Sequence, residues 1–222
     1  MSLTLLMHPL ASYCHKVLIA LYENGTPFTP RTINLGDPAE RAELAARWPM
    51  VKFPVLLDGE RTIAESTTII EYLCMRHPGK TALLPDDAEQ RFDVRFWDRF
   101  FDIYVHEPMQ KIVGDHLRPE NARDATGVAG ARATLATAYG VLDKQLAGGQ
   151  WAAGPRFTLA DCAAAPSLFY ATIVAPHDAG QRNLAAYFDR LMAHPPVKRT
   201  LDEAKPYFQY FPFKEKIPAR FL

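Results

Sequence analysis

The chain has 222 residues, 48% of them hydrophobic, which is enough to bury a core in one large domain or in each of two small ones. Its 25 basic and 25 acidic residues cancel, so there is no global electrostatic reason to expect nucleic acid or an anionic membrane as a partner. No apolar run reaches about 18 residues, and the first residues lack the basic flank of a secretory signal. We therefore expect a cytoplasmic protein.

Three cysteines occur in the chain, Cys14, Cys74 and Cys162. Their number is odd and none belongs to a Cys-x-x-Cys pair, so the sequence indicates neither a disulfide framework nor a structural zinc site. We expect reduced thiols and no bound metal.

The first 34 residues predict a strand, a helix and a second strand. Residues 3–7 form a short apolar run that His8-Pro9 ends. Apolar residues at helical spacing follow until Asn24-Gly25, which is a stop signal. An extended segment over 28–34 contains Pro30, which suits an edge strand better than a central one.

Two further strands are predicted over 53–57 and 62–64, joined by a tight turn at Asp58-Gly59. Ser66 is positioned to cap the next helix, which His77-Pro78-Gly79 ends. Strands on both sides of the first helix imply a small mixed sheet. This α/β unit closes near residue 78.

Residues 79–87 read as a linker, and nearly everything after them reads as helix. Asp86 with Glu89 is expected to cap a long helix whose register Pro108 disturbs. A second long helix ends near residue 148. Thr158 and Asp161 have capping-box spacing at the start of another helix, and an aromatic-rich tail closes the sequence.

Four segments occur together in the order and spacing of one known family. They are HPLASYCHKVLIALYENG, KFPVLLDG, AESTTIIEYL and FTLADCAAAP. With them, the chain resembles the cytosolic glutathione S-transferases over its whole length. The resemblance implies a thioredoxin-like α/β N-terminal domain over 1–78, a linker over 79–87 and an all-α helical-bundle C-terminal domain over 88–222. It also implies a homodimer, with the N-terminal domain of one subunit on the C-terminal domain of the other.

Glutathione carries an ammonium and a carboxylate at its γ-glutamyl end, a carboxylate at its glycyl end, and a thiol that reacts as thiolate. By resemblance, Lys52 holds the glycyl carboxylate, while Glu65 and Ser66 hold the γ-glutamyl end. Ser66 would act at a helix N-terminus, where free N–H groups already favour an anion. A cis Phe53-Pro54 bond would turn the Phe53 backbone toward the cysteinyl residue of glutathione.

Activation of the thiol needs a hydrogen-bond donor. Lowering its pKa from roughly 8.5 to about 6.5 requires about 2.7 kcal/mol, close to what one donor to a charged acceptor supplies. In the family the catalytic serine or cysteine falls six residues before the position of Val17, which here is Ala11. Its neighbour Ser12 is the first candidate, with Tyr13 and Cys14 as runners-up.

Ser12 has a second interpretation, as the N-cap of the first helix. Cys14 near the same N-terminus could be activated there and then form a mixed disulfide with glutathione. His15 beside it points about 100° away and makes no obvious base. A packed, inert Cys14 is the preferred interpretation. Candidates for the electrophile pocket, by resemblance and apolar character, are Phe101, Tyr104, His106, Met109, Phe208 and Phe211.

The predicted function is a detoxification-type transferase that adds the glutathione thiolate to small hydrophobic electrophiles. One alternative is a glutathione-dependent disulfide reductase or peroxidase acting through Cys14. Another is a non-catalytic binding or scaffold protein. Ala11 allows this alternative, because it stands where the family has its catalytic serine or cysteine. A maleylacetoacetate isomerase fits less well, because the serine-serine-cysteine motif of that class is not matched by residues 11–14.

Overall fold

The computed structural model describes residues 3–222. Its N-terminal part is a four-stranded mixed sheet with the strand order β2-β1-β3-β4. The first two strands pair in parallel, and the other pairs are antiparallel. The strands are β1 (Leu3–Met7), β2 (Phe28–Thr32), β3 (Val55–Asp58) and β4 (Arg61–Ala64).

Helices surround the sheet and make up almost all of the chain after it. Three belong to the α/β part: α1 (Ser12–Asn24), α2 (Pro38–Arg47) and α3 (Ser66–Arg76). Six follow: α4 (Ala88–Phe100), α5 (Glu107–His116), α6 (Ala125–Gln145), α7 (Leu159–Val174), α8 (Arg182–Ala193) and α9 (Pro195–Ala204). The predicted fold class, an α/β unit followed by an all-helical unit, is confirmed.

The N-terminal elements follow their sequence signals, with one omission. Gly25 ends α1 in the left-handed conformation at φ 61°, and Pro30 lies on the edge strand as expected. The sequence analysis missed α2, although its start is encoded. The Asp37 side chain accepts from the Ala39 and Glu40 N–H groups, and proline follows it at the first helical position.

Helix starts in the C-terminal part are also set by side-chain caps. The cap of α4 is Asp87, which accepts from Gln90 N–H, so the prediction of Asp86 was wrong by one residue. The capping box of Thr158 and Asp161 is present at the start of α7. Asp161 is completely buried, and its carboxylate also accepts from the Tyr187 hydroxyl at 2.6 Å, so this cap anchors α8 as well.

The helix disturbed near Pro108 contains a π-helical segment, Phe101–His106, between α4 and α5. Proline has no N–H to donate to the preceding turn, and a wider turn accommodates that loss. At the end of the segment the Glu107 N–H bonds to Asp102 O, five residues back. The chain thus stays helical from 88 to 116 while the side chains of the π segment change direction.

A buried ion cluster joins the α/β part to the helical part. Lys16 on α1 is fully buried, and its Nζ lies 2.6 Å from Asp98 Oδ1 and 2.8 Å from Asp102 Oδ2. It also donates to Thr67 Oγ1 at 2.9 Å, and Thr67 donates to Asp98 Oδ2. Burial raises the pKa of Asp102, and the ammonium of Lys16 opposes that rise. The ammonium of this lysine thus lies away from water, hydrogen-bonded to Thr67 and Asp102 and ion-paired with Asp98 as well.

Residues 77–87 form no helix or strand, which fits the expected linker, and the division of the chain at 78 and 88 stays a prediction. Among the helices of residues 3–222, none combines the length and apolarity of a membrane-spanning segment.

Replacing Lys16 by methionine should lower the free energy of unfolding by about 3–5 kcal/mol, because two buried carboxylates would lose their cation. Urea unfolding at pH 7 measures this loss. Lys198→Met is the matched control, since Lys198 is 67% exposed and its pair with Asp202 contributes at most about 0.5 kcal/mol. Equal losses in the two variants would contradict the structural role of Lys16.

Candidate functional site

Three loops leave the sheet at the same edge. Val55 pairs with Leu6 on one side and with Ala64 on the other. The residues that precede β3 therefore lie beside those that follow β1 and β4. Lys52, Phe53 and Pro54 meet the turn into α1 and the turn into α3 at this edge, and the Phe53-Pro54 peptide bond is cis.

Two side chains predicted to bind glutathione, Lys52 and Glu65, are exposed at this edge. Neither forms an ion pair within 4 Å with any residue that the structure describes. Glu65 has a φ of 67°, and Val51, next to Lys52, has a φ of 52°. Residues other than glycine rarely adopt a positive φ, which costs about 1–3 kcal/mol. Such strain clusters at functional sites.

Ser66 does not cap α3, which corrects the sequence prediction. The N-cap is Glu65, and no side chain supplies the capping bond. Ser66 is the first helical residue, 7% exposed, and its hydroxyl bonds to no group within residues 3–222. The N-terminus of α3 therefore keeps free N–H groups beside a free hydroxyl, an arrangement that attracts an anion.

The N-terminus of α1 lies at the same edge and also lacks a side-chain cap. Its N-cap is Ala11, so the interpretation of Ser12 as the N-cap was wrong. The Cys14 N–H bonds to Ala11 O, while the N–H groups of Ser12 and Tyr13 find no acceptor within the described part of the chain. Two backbone donors at the start of α1 are thus left for a ligand.

Ser12 is buried against the helical part. Its Oγ lies 2.5 Å from His106 Nε2 and accepts from Gln110 Nε2 at 3.1 Å. Burial, with Lys16 second, lowers the pKa of His106 to about 3, so this imidazole is neutral. His106 Nδ1 has no partner in residues 3–222. Because a buried unpaired N–H is rarer than a buried unpaired acceptor, the proton belongs on Nε2, where it donates to Ser12.

With that tautomer both lone pairs of the Ser12 oxygen are occupied, by His106 and by Gln110. The hydroxyl proton of Ser12 is then the one hydrogen-bonding site of this side chain left open. His106 thus contacts Ser12 directly, and the sequence analysis had placed it only in an electrophile pocket.

Tyr13 and Cys14, the other two candidates for the catalytic donor, lie in different surroundings. The Tyr13 ring stacks on His106 with 3.8 Å between ring centroids, and burial raises the pKa of its phenol, which stays protonated. Cys14 is fully buried, and burial raises the pKa of its thiol to about 12. The neighbouring His15 bonds to Pro9 O instead of to this thiol. Cys14 is therefore packed in a setting that disfavours its thiolate, and its lack of reactivity stays a prediction.

The residues proposed for the electrophile pocket are not brought together. Phe101, Met109, Phe208 and Phe211 are core residues, each at most 5% exposed. Tyr104 is 47% exposed and lies in a separate groove with Phe100 and residues of α6. Aromatic periodicity in the sequence does not distinguish a core face from a cleft face.

Two of the three rings that line the edge, His8 and Tyr207, were not predicted from the sequence, whereas Phe53 was. His8 stacks on Phe53 with centroids 6.1 Å apart, and Tyr207 of the C-terminal tail meets His8 edge-on at 5.5 Å. All three are partly exposed. The only sequence signal was the position of His8 directly after the first strand, and nothing there pointed to Tyr207.

Comparison with known families agrees with this geometry. The model of the glutathione S-transferase N-terminal domain matches residues 6–81, and the model of the glutathione S-transferase C-terminal domain matches residues 98–195. The chain belongs to the glutathione S-transferase family.

Three named proteins show how similar the chain is to individual members of this family. The chain is 32% identical over 162 residues to the glutathione S-transferase-like protein LUC7 of Fusarium sp., covering 70% of this chain and 71% of that protein. It is 34% identical over 99 residues to glutathione S-transferase U22 of Arabidopsis thaliana, covering 44% of each. The solved glutathione S-transferase of Methylobacterium radiotolerans, in complex with glutathione sulfonate, has a TM-score of 0.79 and 29% identity and covers 90% of this chain and 94% of that one.

The two buried neutral histidines predict a loss of stability in mild acid. Burial lowers the pKa of His15 to about 4 and that of His106 to about 3, against an ordinary value of 6.5 in the unfolded chain. Below pH 6.5 the unfolded state binds more protons, so stability falls as the pH falls. Each histidine contributes about 1.4 kcal/mol per pH unit between pH 6 and pH 5.

Denaturant unfolding at pH 7, 6 and 5 measures this slope. His106→Gln should lower stability at pH 7 yet reduce the slope by about 1.4 kcal/mol per pH unit. His116→Gln, which replaces an exposed histidine, is the matched control for this comparison. An unaltered slope in His106→Gln would show that this imidazole is not held neutral in the fold.

Proposed function

We propose that this protein binds glutathione along the sheet edge and adds its thiolate to small hydrophobic electrophiles. One observation carries the proposal: an exposed cation, an exposed carboxylate and two uncapped helix N-termini converge at a single edge. Glutathione has charged groups of the matching signs at its two ends and a sulfur between them. Relatives solved with glutathione sulfonate or with glutathione bound support the choice of ligand.

Each end of the tripeptide has a complementary group. Lys52 would pair with the glycyl carboxylate. The Phe53 backbone would pair with the cysteinyl residue in the middle of the tripeptide. Glu65 would accept from the γ-glutamyl ammonium, while the Ser66 hydroxyl and the free N–H groups of α3 receive the γ-glutamyl carboxylate. The positive φ of Glu65 supports this assignment, because strained backbone conformations cluster at ligand-binding sites.

The sulfur is proposed to lie at the N-terminus of α1, with the Ser12 hydroxyl as its donor. His106 Nε2–H and Gln110 fill the acceptor positions of Ser12, so its proton is available for the thiolate. One hydrogen bond to a charged acceptor contributes about 1.5–3 kcal/mol, and the helix N-terminus about 0.3–1 kcal/mol more. Together these cover the 2.7 kcal/mol or so that activation requires.

The alternatives have less support. A disulfide reductase acting through Cys14 needs an accessible thiolate, and this thiol is buried with a raised pKa. The scaffold alternative gives no reason for the positive φ of Val51, next to the exposed Lys52, or for that of the exposed Glu65 itself. A role in detoxification and a cytoplasmic location stay predictions.

A homodimer is proposed as well. Four large apolar side chains are 41–67% exposed on α4, the π segment and α6: Phe92, Phe96, Tyr104 and Val141. Tyr104 and Val141 line a groove with Phe100 between these elements. An exposed apolar patch of this kind is typical of a protein interface, and a second copy of the chain is the partner that the family resemblance implies.

Glu65→Gln should weaken glutathione binding about 10- to 100-fold, since it removes the charge that pairs with the ammonium. Isothermal titration calorimetry measures the Kd. Glu60→Gln is the matched control, because Glu60 is an equally exposed glutamate in the turn at the other end of the same hairpin. Identical affinities in both variants would remove Glu65 from the site, and no heat with the unaltered protein would refute glutathione binding.

Ser12→Ala should raise the pKa of the bound glutathione thiol by about 1 to 2 units, with a smaller effect on Kd. Ultraviolet absorbance of the thiolate in the complex, followed against pH, reports that pKa. Cys14→Ala is the control and should leave the titration unchanged. A titration unaffected by Ser12→Ala would assign activation to the backbone N–H groups or to Tyr13.

A further inference from the structure

The turn between β1 and α1, residues 8–11, is held by hydrogen bonds to all four of its carbonyl oxygens. Three of these bonds are local. The His8 carbonyl accepts from the Ala11 N–H at 2.9 Å, and the Ala11 carbonyl accepts from backbone N–H groups of α1. The Pro9 carbonyl accepts from His15 Nε2 at 2.6 Å. Their donors all lie in the turn itself or in the first turn of α1.

The fourth carbonyl, that of Leu10, has its donor in the helical part. The Tyr170 hydroxyl of α7 donates to it at 3.0 Å, across 160 positions of sequence. Tyr170 is 3% exposed, and burial raises the pKa of its phenol, so the hydroxyl keeps its proton. Within residues 3–222, this is the one hydrogen bond that joins the backbone of the turn to the helical part.

Ala11 leaves the direction of the helix start to contacts of this kind. A serine, threonine, asparagine or aspartate at the N-cap would accept from an N–H group of the first turn, which alanine cannot do. The Leu10 carbonyl and the Ala11 N–H belong to one planar peptide unit. Tyr170 holds one end of this unit and His8 holds the other, so the unit is fixed against rotation. Ser12 follows it by one residue.

We propose that Tyr170 is a positioning residue for thiol activation, because its bond to the Leu10 carbonyl sets the turn from which the Ser12 hydroxyl meets the sulfur. The inference rests on the proposed function and adds a residue that acts through the backbone. His106 and Gln110 hold the Ser12 side chain, and Tyr170 holds the main chain before it. Misplacing a catalytic group by about 1 Å can slow a reaction about 100-fold.

Tyr170→Phe removes one oxygen and keeps the ring that packs against His15 and Phe211. We expect the pKa of the bound glutathione thiol to rise by about 0.5 to 1 unit, less than in Ser12→Ala, because the donor is displaced and not deleted. The Kd of glutathione should change about threefold or less, since the charged groups proposed for its two ends are unaltered. Ultraviolet absorbance of the thiolate against pH measures the first effect, and isothermal titration calorimetry measures the second.

Tyr139→Phe is the matched control. Tyr139 is 2% exposed, and its hydroxyl also donates to a backbone carbonyl, that of Ala175 at 2.9 Å, but this bond stays within the helical part. Both variants should lower the urea midpoint by similar amounts, whereas only Tyr170→Phe should alter the thiol titration. Equal shifts of the thiol pKa in both variants would indicate a general loosening of the fold and would overturn the positioning role.

The double variant Ser12→Ala/Tyr170→Phe tests whether the tyrosine acts through the serine. If it does, the thiol pKa in the double variant equals that in Ser12→Ala alone. Additive shifts, or no shift in Tyr170→Phe, would overturn the proposal. In the unaltered protein, a glutathione complex without thiolate absorbance at neutral pH would refute the proposed activation and this role with it, and the absence of binding heat would refute glutathione binding as well.

Discussion

The fold depends on the partners of one buried ammonium. Lys16 cannot reach water, and three groups from α3, α4 and the π segment satisfy it. This requirement fixes the helical part against α1. Ser12 lies one turn before Lys16, and His106 lies about one turn after Asp102, so the ion pair and the Ser12–His106 hydrogen bond are successive contacts between the same two helical segments.

The proposed glutathione site draws its groups from both parts of the chain, so its function would depend on how the two parts pack. The charged side chains proposed for the ends of glutathione come from the α/β part alone, whereas the groups around the Ser12 oxygen come from the helical part. Under the proposed function, a change that loosens the helical part would alter thiol activation before it alters recognition of the ligand ends. The proposed binding and the proposed chemistry thus rest on different elements of the chain.

Local signals made much of this predictable from the sequence. The strands, the glycine stop of α1, the edge position of Pro30 and the capping box at Thr158 follow from periodicity and turn chemistry. Contacts between distant residues did not follow. Ser12 and His106 are 94 positions apart, and a π segment that redirects side chains intervenes, so helical spacing could not place His106. Similarly, the burial of Phe208 and Phe211 depends on how the tail folds back.

The contact between His8 and Tyr207 joins two distant parts of the chain. One ring follows the first strand, and the other belongs to the segment after α9. The wall that the two rings form at the sheet edge therefore exists only while that segment is packed against the α/β part. A change that detaches the segment would open this side of the edge and leave the strands themselves in place.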